Sequence, residues 1–282
     1  MDGFQRAAMI KNQDDALYVE PVSNRENQEE ARGSSLERML SLLDLFTEQK
    51  PLWSADGLAA ERGFTRSATY RYLRELADSG LIAPVETGRY SLGPRIIQLG
   101  RQLAESDPML VTMKDIEAHL PQLAAKQKWH LCRLFRDQVI AIGEYGHLDA
   151  DLSYRRGCPM PLLRGATSTA VLAWLPERQL MRIYLENQEH INTATLGSSW
   201  RECRKALGAI RQRGYAVAQA EVDPDVFALA APIFNAEGRV TGSISVVRHA
   251  SEYDAARIPA EGEIVAALGQ RMTEGIKRIA AG

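Results

Sequence analysis

Between positions 35 and 46, Leu36, Met39, Leu40, Leu42, Leu43 and Phe46 recur at the three-and-four spacing of one helical face. Ser35 stands where an N-cap belongs, with Arg38 at the paired capping position, and Pro51 closes the segment. Ser54 is placed to cap a second helix over 55–62, with Leu58 and Ala59 inward and Gly63 as its stop. Thr65 is placed to cap a third, running from 66 to about 79 and closed by Gly80. On that third helix Thr69, Tyr72, Leu73 and Leu76 share one face, and Arg66, Ser67, Tyr70, Arg71 and Arg74 share the other. The runs "LIAPV" and "RYSLG" flank the turn "ETG" and predict a hairpin. Helix, helix, a tight turn over 63–66, helix and two-stranded wing is the order of a winged helix-turn-helix.

The pattern changes beyond the wing. Pro94 starts an amphipathic helix through Ile96, Ile97, Leu99 and Leu103, read as a linker over 94–107. Asp107-Pro108 opens another helix, expected to reach about Lys128. "WHLCRLFR" and "QVIAIGEY" predict strands that turn at Arg136-Asp137, and "YAVA", "VFALAAPIF" and "VTGSISVVR" predict three more. Helices are expected over 166–175, 176–186, from the Ser199 cap to Gly214, and over 261–280. An antiparallel sheet with helices on its faces makes 108–282 an α+β domain shaped like a small-molecule sensor. The whole chain is then α+β: a winged helix-turn-helix over 34–93, a linker helix, and a sensor domain. Residues 1–33, with seven acids and four bases and few large apolar side chains, are read as a disordered leader.

Composition narrows the function. A net charge of −2 with 25% charged residues argues against coating nucleic acid without regard to sequence. It leaves room for a binder whose contacting face alone is basic. No apolar run approaches the ~20 residues of a membrane span, and the N-terminus lacks a secretion signal, so no membrane partner and a cytoplasmic location are expected. Three separated cysteines, no CxxC and no HExxH predict neither a disulfide framework nor a metal or other cofactor. The five histidines pair with no recognisable nucleophile, and GxSxG, GxGxxG and P-loop motifs are missing, so no catalytic residues are assigned and no enzyme is expected.

Local charge points the other way. No acid occurs between Glu61 and Glu75, while Arg66, Arg71 and Arg74 do. A helix fits the major groove, where Arg66 or Arg71 can hold a guanine through two hydrogen bonds, discriminating by about 1–3 kcal/mol. Ser67 sits where a hydroxyl or backbone N–H meets phosphate, and Arg89 of the wing can reach the adjacent minor groove or backbone. The alternative is a solvated basic face on a helix that merely packs against a partner.

"SSLERMLSLLDLF", "SATYRYLRELADSGLI" and "GRYSLGPRIIQLG" resemble the DNA-binding half of IclR-type transcriptional regulators. "RRGCPMPLLRGATSTAVLA", "RGYAVAQAEVDPDVFALAAPIFNAEGRVTGSISVV" and the closing helix are similar to that family's effector domain. The resemblance implies a GAF-like effector domain and a homodimer, or dimer of dimers, on double-stranded, roughly palindromic operator DNA. It also implies a small-molecule effector, often an organic or aromatic acid. The family's pocket maps onto Ala166 and Thr167 at the start of a helix, with Ser245 as a hydrogen-bond donor. Ala218, Ala228 and Val247 stand where the family often has an acid, a cysteine and a serine, and Thr169 where it has a base. A pocket so stripped of polar groups is expected to suit a larger, more apolar ligand. A sensor that has lost its ligand and serves only oligomerisation is the alternative.

Overall fold

A computed structural model describes residues 34–86, 88–119 and 126–281. The expected leader lies outside the described residues. Two compact units meet between Arg101 and Gln102.

The first unit opens with α1 (Ser35–Ser41), and its cap is Ser34, not Ser35. The Ser34 hydroxyl accepts from the Glu37 N–H at 3.2 Å while the Glu37 carboxylate accepts from the Ser34 N–H at 2.7 Å. Such a reciprocal box needs an acid three residues on, which Ser34 has and Ser35, followed by Arg38, lacks. α1 then tightens into a 3₁₀ turn, Leu42–Leu45. Leu42 is fully buried, but Leu36 and Leu40 of the same apolar stripe are 68% and 49% exposed.

Helices α2 (Ala55–Arg62) and α3 (Arg66–Asp78) follow their predicted caps. Gly63 between them has φ +63°, a left-handed conformation that side chains resist, and its neighbour Phe64 donates back to the Ala59 carbonyl at 2.9 Å. Leu58, Tyr72, Leu73 and Leu76 close over Leu42 and Trp53 in one core. Strands β2 (Ile82–Val85) and β3 (Arg89–Leu92) pair as predicted. A third strand, β1 (Trp53–Ser54), joins β3 by pairing Trp53 with Tyr90. Its two residues are too few for alternation to show; the indole N–H, donating to the Leu45 carbonyl at 2.7 Å, fixes it. From the wing the chain enters α4 (Arg95–Ser106).

In the second unit the buried Asp107 side chain accepts from the N–H groups of Met109 and Leu110, at 2.9 and 3.2 Å, to start α5 (Pro108–His119). Lys128, expected in that helix, lies instead in β4 (Gln127–Phe135). Trp129 and Leu131 alternate there with His130 and Cys132, a period of two that only a strand supports. β5 (Gln138–His147), β6 (Pro159–Met160), β7 (Ala216–Gln219), β8 (Val226–Phe234) and β9 (Val240–His249) complete one antiparallel sheet of order β6-β5-β4-β9-β8-β7. Between β6 and β7 lie α6 (Ala166–Leu172), α7 (Glu177–Glu186), α8 (Thr193–Leu196) and α9 (Trp200–Arg213). α10 (Ile258–Ala281) ends the described chain. Among the described residues no helix is long and apolar enough to cross a membrane.

The sheet sorts its side chains by parity. Trp129, Leu131, Leu229, Ala231, Ile244 and Val246 pack against α5 and α10. Ala216, Ala218 and Ala230 face α6, α7 and α9 on the other side. β9 crosses β4 so closely at Gly242 that a Cβ there would stand 2.0 Å from the Cys132 carbonyl oxygen.

Leu73, 1% exposed, has no room to be replaced by smaller side chains without leaving a cavity. Leu73→Ala is expected to destabilise the first unit by about 2–5 kcal/mol in denaturant unfolding, with the second unit's transition unmoved.

Candidate DNA-contact helix and effector pocket

α3 presents two faces because its cap fixes its rotation. The Thr65 hydroxyl accepts from the Ala68 N–H at 3.3 Å, and Thr69, Tyr72, Leu73 and Leu76 are buried. Arg66, Ser67, Tyr70, Arg71 and Arg74 are all exposed, as is Arg89 on the wing. The face is acid-free in sequence but not in space. Asp56, from α2, pairs with Arg66 at 2.6 Å, and Asp78 lies 3.8 Å from the Arg74 Nε. Both pairs are solvated, and exposed pairs are worth about 0–1 kcal/mol, so a phosphate or a base edge can displace the carboxylate. Arg71 has no carboxylate partner among the described residues; its guanidinium lies 5.4 Å from the Tyr72 ring centre. It also hydrogen-bonds the Tyr72 side chain, and of the three helix arginines it is the one that faces no carboxylate among the described residues.

The pocket is built on two rows of residues in register across the sheet. Ala218, Ala228, Val247 and Lys128 form one row through successive strand pairs. Ala216, Ala230, Ser245, His130 and Glu144 form the next. The start of α6 covers these rows. The buried Thr167 hydroxyl donates to the Ser245 hydroxyl at 3.1 Å, and the Ser243 hydroxyl donates to the Thr167 carbonyl at 2.9 Å. The space left encloses about 510 Å³ between atoms, counting its open mouth.

Ala166, Thr167, Ala218, Ala228 and Val247 all line this space; Ser245 does not, and lies fully buried behind Thr167. Thr169 is turned away, its hydroxyl donating to the Gly165 carbonyl at 2.8 Å. The walls are mainly apolar, with Leu152, Met160, Val222 and Val226 among them. They are not stripped of polar groups, however: His130, Tyr154, Arg164, Ser168, Glu221 and Asp223 also line the pocket. His130 comes from β4 and Ser168 from α6 beside Thr167, while Tyr154, Arg164, Glu221 and Asp223 come from loops whose packing no short-range pattern reveals. For His130 a signal exists: a histidine between Trp129 and Leu131, on the parity opposite to theirs. Arg155 and Arg156 do not line the pocket, and Arg155 lies 3.7 Å from Asp151.

Two of the pocket's acids are already engaged. Glu221 accepts from the Gly165 N–H at 2.8 Å and from the Thr195 hydroxyl at 2.6 Å. Asp223 accepts from both the N–H and the hydroxyl of Ser153. Burial holds the His130 imidazole below its ordinary pKa, and Lys128 adds to this, while Glu144 and Asp223 pull the other way. The ring is therefore neutral near pH 7.

The family described as bacterial transcriptional regulator IclR C-terminal matches residues 116–273, and the IclR helix-turn-helix domain matches residues 35–86. The chain belongs to the IclR family of transcriptional regulators. A relative in that family, the HTH-type transcriptional regulator XynR of Escherichia coli (strain K12), is 29% identical over 79% of this chain and 89% of its own length. A solved IclR regulator from Alicyclobacillus acidocaldarius has the same fold, at TM-score 0.72 and 23% identity over 86% of this chain and 98% of that one. An IclR homolog from Microbacterium hydrocarbonoxydans, solved in complex with 4-hydroxybenzoate, superposes at TM-score 0.69 and 17% identity over 87% of this chain and all of that one. An IclR-family winged helix-turn-helix followed by an α+β effector domain is thus the architecture of this chain.

His130 gives the IclR effector domain a pH signature. Its folded pKa lies below 6.5, so the unfolded chain takes up a proton that the folded chain refuses. Stability is then full above the unfolded value and falls as pH drops below about 6.5, by up to about 1.4 kcal/mol per pH unit. Thermal unfolding between about pH 7.5 and about 5.5 is expected to show a smaller loss in His130→Gln than in the parent chain.

Proposed function

We propose that this IclR-family regulator reads operator DNA with Arg66, Ser67, Tyr70, Arg71 and Arg74 of α3 and Arg89 of the wing, and that a small organic acid in the second unit controls that binding. The observation that carries the reading is the exposed, donor-rich face of α3, anchored by a wholly buried opposite face. Ala166 and Thr167 with Ala218, Ala228 and Val247 form the effector's surroundings, and Ser245 holds Thr167 in place. Division of labour follows 34–93 for DNA, 94–107 as linker and 108–282 for the effector.

The apolar part of these walls favours a ligand less polar than a small keto-acid, and an aromatic acid suits it. The 4-hydroxybenzoate held by the Microbacterium homolog supports that class. The same open pocket speaks against a sensor that serves only oligomerisation. On this reading the chain acts by binding and not by turnover, in the cytoplasm where its operator lies.

One winged unit neutralises few phosphates, and two joined units read a palindromic site. α4 carries exposed Ile96, Ile97, Leu99 and Leu103, and α1 carries exposed Leu36 and Leu40, which suits a homodimer or a dimer of dimers. Half-sites lie about 34–36 Å apart, so an effector that alters the separation of two α3 helices alters operator affinity.

Arg71→Ala is expected to weaken binding to the DNA upstream of the chain's own gene by roughly tenfold or more, with folding intact. Fluorescence anisotropy over a salt series checks this. Unchanged affinity would remove α3 as the reading helix.

A further inference from the structure

We propose that Arg164 recognises the carboxylate of the effector, while His130 and Ser168 receive a neutral hydrogen-bonding group on the same molecule. The ligand class is then a monocarboxylate with an apolar, ring-sized body and a hydroxyl group. This rests on the effector-controlled reading above and names the chemistry of that site.

Three unsatisfied polar atoms converge on this one pocket. Arg164 Nε, His130 Nε2 and Ser168 Oγ are buried and have no hydrogen-bond partner among the described residues. His130 and Ser168 are 4% and 1% exposed, so bulk solvent does not serve them. A buried donor or acceptor left unmatched is disfavoured, and native proteins keep few of them. Their concentration beside one cavity points to a ligand that carries matching hydrogen-bonding groups.

Charge then sorts the three. Arg164 makes no ion pair among the described residues, although Glu221 and Asp223 line the same pocket. Those carboxylates are turned to Gly165 and Thr195, and to Ser153, so the guanidinium is left for an outside anion. A planar guanidinium matches a carboxylate through paired hydrogen bonds. The two acids also set a limit, because a second negative charge on the ligand would meet them unpaired. His130 is neutral, with Lys128, Glu144 and Asp223 as its charged neighbours, and with Ser168 it suits a hydroxyl and not a second carboxylate. Leu152, Met160, Val222, Val226 and Ala228 offer apolar contact to the body of a ring.

Titration calorimetry on the full chain tests this with 4-hydroxybenzoate, its neutral counterpart 4-hydroxybenzamide, and the dicarboxylate terephthalate. The parent chain is expected to bind 4-hydroxybenzoate most tightly. Arg164→Gln should weaken that binding by about tenfold or more and leave the amide unchanged. Ser168→Ala should weaken acid and amide alike, by about three- to tenfold. If Arg164→Gln fails to fold, Arg164→Lys carries the test: it keeps the charge, loses the fork, and should cost severalfold for the acid only. Undiminished acid binding by the Arg164 variants, or a preference for terephthalate, overturns the proposal. So does a parent chain that binds none of the three. Operator binding by the same preparation then shows whether the regulator reading falls with it.

Discussion

Alternation of side chains across β4, β9 and β8 is the constraint on which the second unit depends. One parity carries Leu131, Leu229 and Ile244 into the core beneath α5 and α10. The other carries His130, Ser245 and Ala230 in a single row toward α6. Because the period is two, a slip of one residue in any pairing would turn the pocket floor toward α5 and α10 and the core residues toward α6. The close crossing at Gly242 holds the β4–β9 register, so the same contact that makes the sheet compact also composes the pocket.

The first unit solves a different problem. Its core is small, and nearly half of α3 must give its surface to that core while the rest stays wet. Tyr72 shows how both demands are met. Its ring packs edge-on against Phe64, and its hydroxyl reaches the Ser35 side chain at 3.1 Å. An aromatic with a polar tip can therefore sit beside the exposed arginines without leaving a hydrogen bond unmade.

Much of this was legible in the residues alone, and the misses have physical causes. Caps announced α2, α3 and α9, because Ser54, Thr65 and Ser199 each precede an apolar stripe and Gly63 and Gly214 follow the first and last. The pattern predicts the start of α1 one residue late, since the box between Ser34 and Glu37 outweighs a serine with Arg38 behind it. Lys128 was assigned to a helix because the strand's period begins only at Trp129. Alanines and the threonine at the pocket were located through kinship with IclR regulators. Arg164, Glu221 and Asp223 are not, since nothing within a few residues of each tells which way its loop turns, whereas Ser168 lies on α6 beside Thr167. Charge was misjudged for the same reason: Asp56 is ten positions from Arg66 in the chain and 2.6 Å from it in the fold.

That last pair bears on how such a protein would search a genome. A carboxylate standing on the proposed reading face taxes every encounter with phosphate by the same small amount. Only a sequence that offers Arg66 something better than Asp56 recovers the loss. On the proposed reading, dwell time on random DNA would be shortened more than dwell time on the cognate site, where Arg66 would exchange Asp56 for a base edge.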